Sequence, residues 1–270
     1  MVFDAAALRE RVIGVLSKQC GQEAFLHDGY GPHGARTSSV LLLLAELSAE
    51  DGGIPEVCII LNKRSKQVKQ PGDLCCPGGA VEKLDRFLAR LLPFWGSSLL
   101  RWPCWSEMKS VEPENAEFLA LLYAAGLREA WEEMGLNPFG LTFLGPLPTN
   151  YLVFFQRPVH PIVAWVSRQK TFRLSPEVER VVQFPLRALL NPFNYAQYRI
   201  YVPSSLEWRF GGSTADFPCF IYKVGGRAEL LWGVTFRIVT QFLEMIFGFQ
   251  VPDTGKLPVV PVSVSEEYVR

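Results

Sequence analysis

The chain has 270 residues, 49% of them apolar and 20% charged, which is enough to bury a sizeable core in one large domain or two small ones and excludes disordered and fibrous classes. Lys and Arg (27) balance Asp and Glu (27), so no overall field draws the chain to nucleic acid or to an anionic surface, and any recognition of polyanions has to be local. Six cysteines, with no Cys-x-x-Cys pair and no histidine at zinc-ligand spacing, read as reduced thiols that act as small hydrophobes.

In chain order, residues 4–18 repeat apolar positions at a helical period and predict a surface helix whose charges do not follow a secretory layout. A glycine-rich connector, Gly29 to Gly34, follows. Ser39–Leu47 and Val57–Lys63 are strand-like runs split by the turn residues Asp51-Gly52-Gly53. Pro77-Gly78-Gly79 is a backbone unsuited to a helix or a central strand. Residues 86–113 carry Phe94, Trp95, Trp102 and Trp105 among three prolines with no sustained period, and read as an inserted excursion. From Glu114 to Leu136 the apolar spacing predicts a long helix closed by Gly135. Leu141–Leu144, Pro161–Val166 and Phe220–Val224 look like strands, Ala228–Phe247 like a terminal helix, and the last twenty residues like an extended tail. No stretch is apolar enough to span a membrane, since Arg237, Gln241 and Glu244 interrupt the segment from Leu230 to Phe249. The expectation is a cytoplasmic α/β protein with helices on both faces of a mixed sheet. Its main domain is set at 37–249, with 1–36 as N-terminal helix and connector and 250–270 as tail.

The chemistry concentrates in Arg128-Glu129-Ala130-Trp131-Glu132-Glu133-Met134-Gly135-Leu136. On a helix, Glu129, Glu132 and Glu133 stand at i, i+3 and i+4, so three like charges share one stripe. Arg128 reaches Glu132 one turn on but cannot neutralise all three, whereas a divalent cation with oxygen ligands would. A solvated acidic face is the plainer reading of the spacing alone.

The segment resembles the second half of the box that defines Nudix hydrolases: Gly, five residues, Glu, seven residues, then Arg-Glu-aliphatic-x-Glu-Glu-x-Gly-aliphatic. Gly79 and Asp85 match the first half, with Asp in place of Glu, and Ala130 replaces the aliphatic residue. The box is split, because 42 residues (86–127) stand where the pattern has seven. The excess, about residues 86–113, reads as an insertion in the loop before the helix. Upstream, Ile60-Leu61-Asn62-Lys63-Arg64-Ser65, Val68-Lys69, Pro71-Gly72 and Cys76-Pro77-Gly78-Gly79 are similar to the signature of coenzyme A pyrophosphatases within that superfamily. The departures are Asn62 for Thr, Lys69 for a second Arg, Cys76 for Phe, and one residue fewer before Gly72. Pro176-Glu177-Val178-Glu179, Phe184-Pro185-Leu186 and Leu231-Trp232-Gly233-Val234-Thr235 extend the similarity.

The resemblance implies a Nudix α/β/α sandwich that hydrolyses the diphosphate of coenzyme A or acyl-coenzyme A with Mg²⁺ or Mn²⁺. By the same resemblance, Glu129, Glu132 and Glu133 are the metal ligands, to which Gly79 could add its carbonyl, and Glu129, Glu132 and Arg128 the catalytic group. The local cation cluster makes Arg64, Lys63 and Lys69, with Gly78, the candidate substrate contacts, a solubilising strand end being the equal alternative. Another nucleoside diphosphate derivative, or a non-catalytic binding module, are the alternatives. Glu177 and Glu179 are candidates for a supplementary acid, although the start of a short helix after Pro176 is the expected use. Cys75 and Cys76 read as packing, and His27, His33 and His160 show no ligand spacing. The aromatics of the insertion are open to three uses, a lid over an acyl arm, private packing, or a homodimer or membrane-peripheral patch; packing is expected.

Overall fold

The computed structural model describes residues 3–19, 37–47, 55–151, 157–167, 169, 171–202, 204, 207–224 and 226–263. The Gly29–Gly34 connector, the Asp51-Gly52-Gly53 turn, His27, His33 and Cys20 lie outside them. The first helix, α1 (Ala5–Ser17), begins where the Asp4 side chain accepts the Ala7 N–H at 2.7 Å. It is more than a surface helix. Leu8, Val12 and Leu16 are buried, and they enter the same core as the strands of the 37–249 region.

The strands β1 (Ser38–Leu47) and β2 (Glu56–Arg64) pair antiparallel only through residues 43–47 and 56–60, and then part. Into the opening run β3 (Leu74–Cys75), paired with Asn62 and Lys63, and β4 (Gly78–Ala80), paired with Ser38 to Val40. Gly78-Gly79 with Ala80 thus enters the sheet as a three-residue strand paired on one side only, in keeping with a backbone unsuited to a helix or a central strand. Glycine makes this possible: Gly78 has φ +152°, and a Cβ there would fall 2.3 Å from the Ser39 carbonyl oxygen.

After β4 come α2 (Lys83–Leu91), α3 (Trp105–Val111) and α4 (Pro113–Met134). Proline opens α4, and Gly135 closes it in the left-handed region at φ +63°. Residues 86–113 are thus largely helical and not a loop excursion. Leu92, Leu99, Trp102, Cys104 and Met108 are buried in one cluster with α4 and the sheet, so the packing is shared with the domain, not private. Pro93 and Pro103 cut the segment into pieces too short for a period to show.

The chain continues through β5 (Leu141–Pro146), β6 (Asn150–Tyr151), β7 (Pro158–Val166) and β8 (Val178–Pro185), then α5 (Leu186–Leu189) and β9 (Tyr195–Tyr201). It ends with α6 (Glu207–Phe210), β10 (Thr214–Val224), β11 (Arg227–Leu231), α7 (Gly233–Phe247) and β12 (Val259–Ser263). Residues 228–231, expected as the start of the terminal helix, lie instead in the hairpin strand β11 with β10, and α7 begins only at Gly233, φ +68°. Residues 259–263 of the expected tail join β9 as a parallel strand.

The main sheet runs β3-β2-β1-β7-β5, with β4 on β1, β6 on β7 and β8 on β2; β1 and β7 are parallel and the other pairs antiparallel. A second sheet runs β11-β10-β9-β12. The main sheet is buried on both faces, as continuous apolar strands require. Leu42, Leu44, Ile59, Leu61 and Val163 face a core shared with α1 and α7, while Leu41, Leu43, Ile60 and Ile162 face α4. The architecture is therefore a mixed α/β sandwich, as expected. Across the gap between β1 and β2 lies the last half of α4.

Candidate active site

Two residues of α4 close on this gap. Glu129 lies over Gly79 so closely that a Cβ on Gly79 would be 2.3 Å from its Oε1. Glu133 accepts a hydrogen bond from Asn62 Nδ2 of β2 at 2.9 Å, and the nearby Gly78 backbone N–H lowers its pKa. Glu133 thereby ties α4 to β2, while Glu129 overlies β4.

Arg128 organises the third side. Its Nε donates to Asp85 Oδ1 at 2.7 Å and Nη2 to Asp85 Oδ2 at 3.2 Å, while Nη2 also reaches the Ala80 carbonyl at 3.1 Å. Nη1 lies 3.0 Å from Glu132 Oε2, and Nη2 lies 3.1 Å from Glu129 Oε1. Asp85 is 0% exposed and also accepts the Glu82 N–H at 2.7 Å, capping α2. The acid separated from Arg128 by 42 residues in sequence is its main partner in space. The hydrogen bond to Asp85 pushes the guanidinium pKa further upward, so Arg128 stays charged under all working conditions.

The three glutamates do not gather into one cage. Glu129 sits at Gly79, Glu133 is turned to Asn62, and Glu132 is 47% exposed beside Arg128. Among the described residues, no three His, Cys, Asp or Glu side chains already stand as a cation-holding group. Burial, joined by repulsion from Glu129, pushes the Glu133 carboxyl up to about 7, and burial raises Glu129 as well. Two desolvated carboxylates beside a glycine that admits close backbone approach form an all-oxygen donor set. Its chemistry fits a hard divalent cation such as Mg²⁺ or Mn²⁺.

The expected substrate-binding cations have other occupations. Lys63 Nζ lies 3.0 Å from Glu229 of β11, a carboxylate 1% exposed that Arg180 of β8 also pairs, so Lys63 fastens the main sheet to the second one. Arg64 donates from Nε to the Lys69 carbonyl at 2.7 Å and folds the 65–73 loop, yet its charge also lowers the pKa of Glu133 and it hydrogen-bonds Cys75. It is therefore near the carboxylates. Lys69 is exposed on that loop. Glu177 and Glu179 flank the first residue of β8 beside Arg64, and not a helix start as expected; the Ser175 N–H nearby closes on the Glu133 carbonyl at 2.8 Å. Burial pushes the Cys75 thiol up to about 12 and Cys76 also upward, so neither is a ready nucleophile. His160 is buried between Thr149 and the Phe118 ring. Asn62 enters the sequence reading only as a departure from a pattern, and nothing short of the strand register would have shown it facing Glu133.

The farther parts of the sequence pattern also meet. Trp232 Nε1 donates to Asp73 Oδ1 at 3.1 Å, which joins the Leu231-Trp232-Gly233 segment to the loop after Pro71-Gly72. No family model matches the chain. It is 28% identical over 170 residues to the peroxisomal coenzyme A diphosphatase ndx-8 of Caenorhabditis elegans, covering 62% of this chain and 56% of that protein. It is 23% identical over 241 residues to the chloroplastic Nudix hydrolase 22 of Arabidopsis thaliana, covering 85% of this chain and 64% of the relative. Over these stretches the chain is similar to Nudix hydrolases. The aligned stretch spans less than two thirds of either relative's length. Among solved structures, a MutT/nudix family protein from Enterococcus faecalis covers 92% of this chain and 76% of its own at 10% identity, with a TM-score of 0.39. Among the described residues, no helix is long and apolar enough to cross a membrane.

Proposed function

We propose that the chain is a divalent-metal-dependent diphosphatase that cleaves coenzyme A or acyl-coenzyme A to 3′,5′-ADP and (acyl-)4′-phosphopantetheine. The observation that carries the reading is the meeting of the split motif in space: Glu129 over Gly79, and Arg128 on Asp85. The coenzyme A substrate is supported by the 28% identity to a protein named a coenzyme A diphosphatase and by the contact of Asp73 with Trp232, which links two pieces of the matching pattern.

Glu129, Glu132, Glu133 and the Gly79 carbonyl would hold the Mg²⁺ or Mn²⁺. The bound ion supplies neutralisation of phosphate oxygens and acidification of water. Arg128 keeps Glu129 and Glu132 oriented through charge-assisted hydrogen bonds, anchored from behind by Asp85. Asn62 orients Glu133. Arg64 is the candidate for phosphate contact, since a guanidinium grips oxyanions in two-point fashion. A cytoplasmic location belongs to the same proposal; the relatives' names place one in peroxisomes and the other in chloroplasts.

One observation favours a second substrate reading. Lys63 is committed to Glu229, which removes one of the cations expected for the 3′-phosphate of coenzyme A and suits a nucleoside diphosphate derivative without it. Incubation with Mn²⁺ and a panel of coenzyme A, ADP-ribose and NADH, resolved by chromatography, separates the two. Preferential release of 3′,5′-ADP supports the coenzyme A reading, turnover of the others alone supports the second, and no turnover of any member overturns both.

A further inference from the structure

The helix α2 has three faces. Asp85, Leu88, Ala89 and the following Leu92 point inward to Arg128 and the α4 core. Leu84 and Phe87 point out, 52% and 59% exposed, and the stripe they begin continues at helical spacing through Leu91 to Phe94, which is 84% exposed. Lys83, Arg86 and Arg90, all exposed, form the adjoining stripe, and Arg101 adds a fourth exposed cation at the far end. Between residues 83 and 101 the sequence has one acid, Asp85, and it is buried against Arg128. The neighbouring Trp95 packs edge-on against Phe139, itself exposed, at a centroid separation of 6.2 Å.

A solvent-facing helix stripe should be polar, and this one is made of large apolar side chains beside exposed cations, with Glu82 at the N-cap as the exposed acid next to them. We infer that the Leu84–Phe94 stripe is a docking surface for an anionic lipid bilayer, with its apolar side chains at the acyl boundary and Lys83, Arg86, Arg90 and Arg101 on the headgroups. Aromatic and aliphatic residues beside Lys and Arg are the composition of helices that lie in a membrane interface. A second copy of the chain is the poorer occupant, because a two-fold contact would bring the same cations of both copies together. The inference is independent of the substrate. It also differs from a lid, since the residues that anchor this segment are core, and removing 90–110 would take Leu92, Leu99, Trp102, Cys104 and Met108 out of it.

The test is co-sedimentation of the full chain with vesicles of phosphatidylcholine alone or with about one third phosphatidylglycerol. Wild type should pellet with the anionic vesicles and not the neutral ones. Both the Phe87→Ser/Phe94→Ser and the Arg86→Gln/Arg90→Gln variants should bind at least roughly tenfold more weakly, by the loss of apolar insertion or of headgroup attraction. All four side chains are exposed, so the fold and the diphosphatase rate should be unchanged. No pelleting with anionic vesicles, or undiminished pelleting by both variants, overturns the inference. So does concentration-dependent dimerisation abolished by the Phe variant, which would give the stripe to a second copy.

Discussion

Replacing Asp85 with Asn isolates the charge that joins the two halves of the split motif. The side chain keeps its size, and its oxygen still accepts the Glu82 N–H that caps α2, so the substitution acts on the ion pair and leaves the cap in place. The pair is deeply shielded, with Arg128 and Asp85 side chains 6% and 0% exposed. Removing one partner of such a pair typically costs 3–5 kcal/mol, because the remaining charge stays buried without compensation. Arg128 retains Glu129 and Glu132, which places the expected loss at the low end, about 3 kcal/mol. Asp85→Ala also removes the cap, adding about 1 kcal/mol. Urea unfolding followed by circular dichroism measures both, with an unchanged denaturant slope as the check that only stability moved. A loss under about 1 kcal/mol for Asp85→Asn would mean that the charge pair contributes little beyond an ordinary surface contact. The reasoning about how α2 is held on α4 would then be wrong.

Gly79→Ala forces a methyl into the Glu129 carboxylate and should lower kcat at least about tenfold, a barrier increase of about 1.4 kcal/mol, while thermal unfolding shifts little; wild-type turnover would contradict the close approach. Lys63→Gln should destabilise the fold by about 1–3 kcal/mol by leaving Glu229 short of a partner, and should leave KM for the diphosphate within a few-fold; a large KM increase at unchanged stability would return Lys63 to the substrate. Burial lowers the His160 pKa to about 4, below its unfolded value near 6.5, so the folded state resists protonation. The stability this residue confers is complete above pH 6.5 and is lost as pH falls toward 4, amounting to about 2 kcal/mol by pH 5. Urea midpoints at pH 8 and 5 should show this slope and His160→Phe should flatten it; an identical slope in the variant would refute it.

The elements legible in the sequence were those whose periodicity is long or doubly buried. The helix from 114, its Gly135 stop, and the β1 and β2 runs were found within one or two residues because unbroken apolar patterning left one solution. The 83–111 helices were not, since Pro93 and Pro103 divide them into pieces of seven to nine residues, and Leu84 and Phe87 of α2 are exposed apolar side chains that blur its pattern. The strand at 227–231 merged with the helix after it because both are apolar, and only the positive φ of Gly233 parts them. At the site, the motif names Arg128, Glu129, Glu132 and Glu133 as candidates, but the pairing of Asp85 as a buried counter-ion, the facing of Asn62 to Glu133 and the diversion of Lys63 to Glu229 depend on pairings across 43, 71 and 166 residues that no local pattern encodes.

Anomalous diffraction from crystals soaked in Mn²⁺ addresses the metal assignment directly. A peak within coordination distance of Glu129, with Glu133 or the Gly79 carbonyl completing the ligands, and absent in Glu129→Gln, is the result expected here. A peak bound elsewhere, or none beside these oxygens while the enzyme turns over in the same Mn²⁺ buffer, would contradict it.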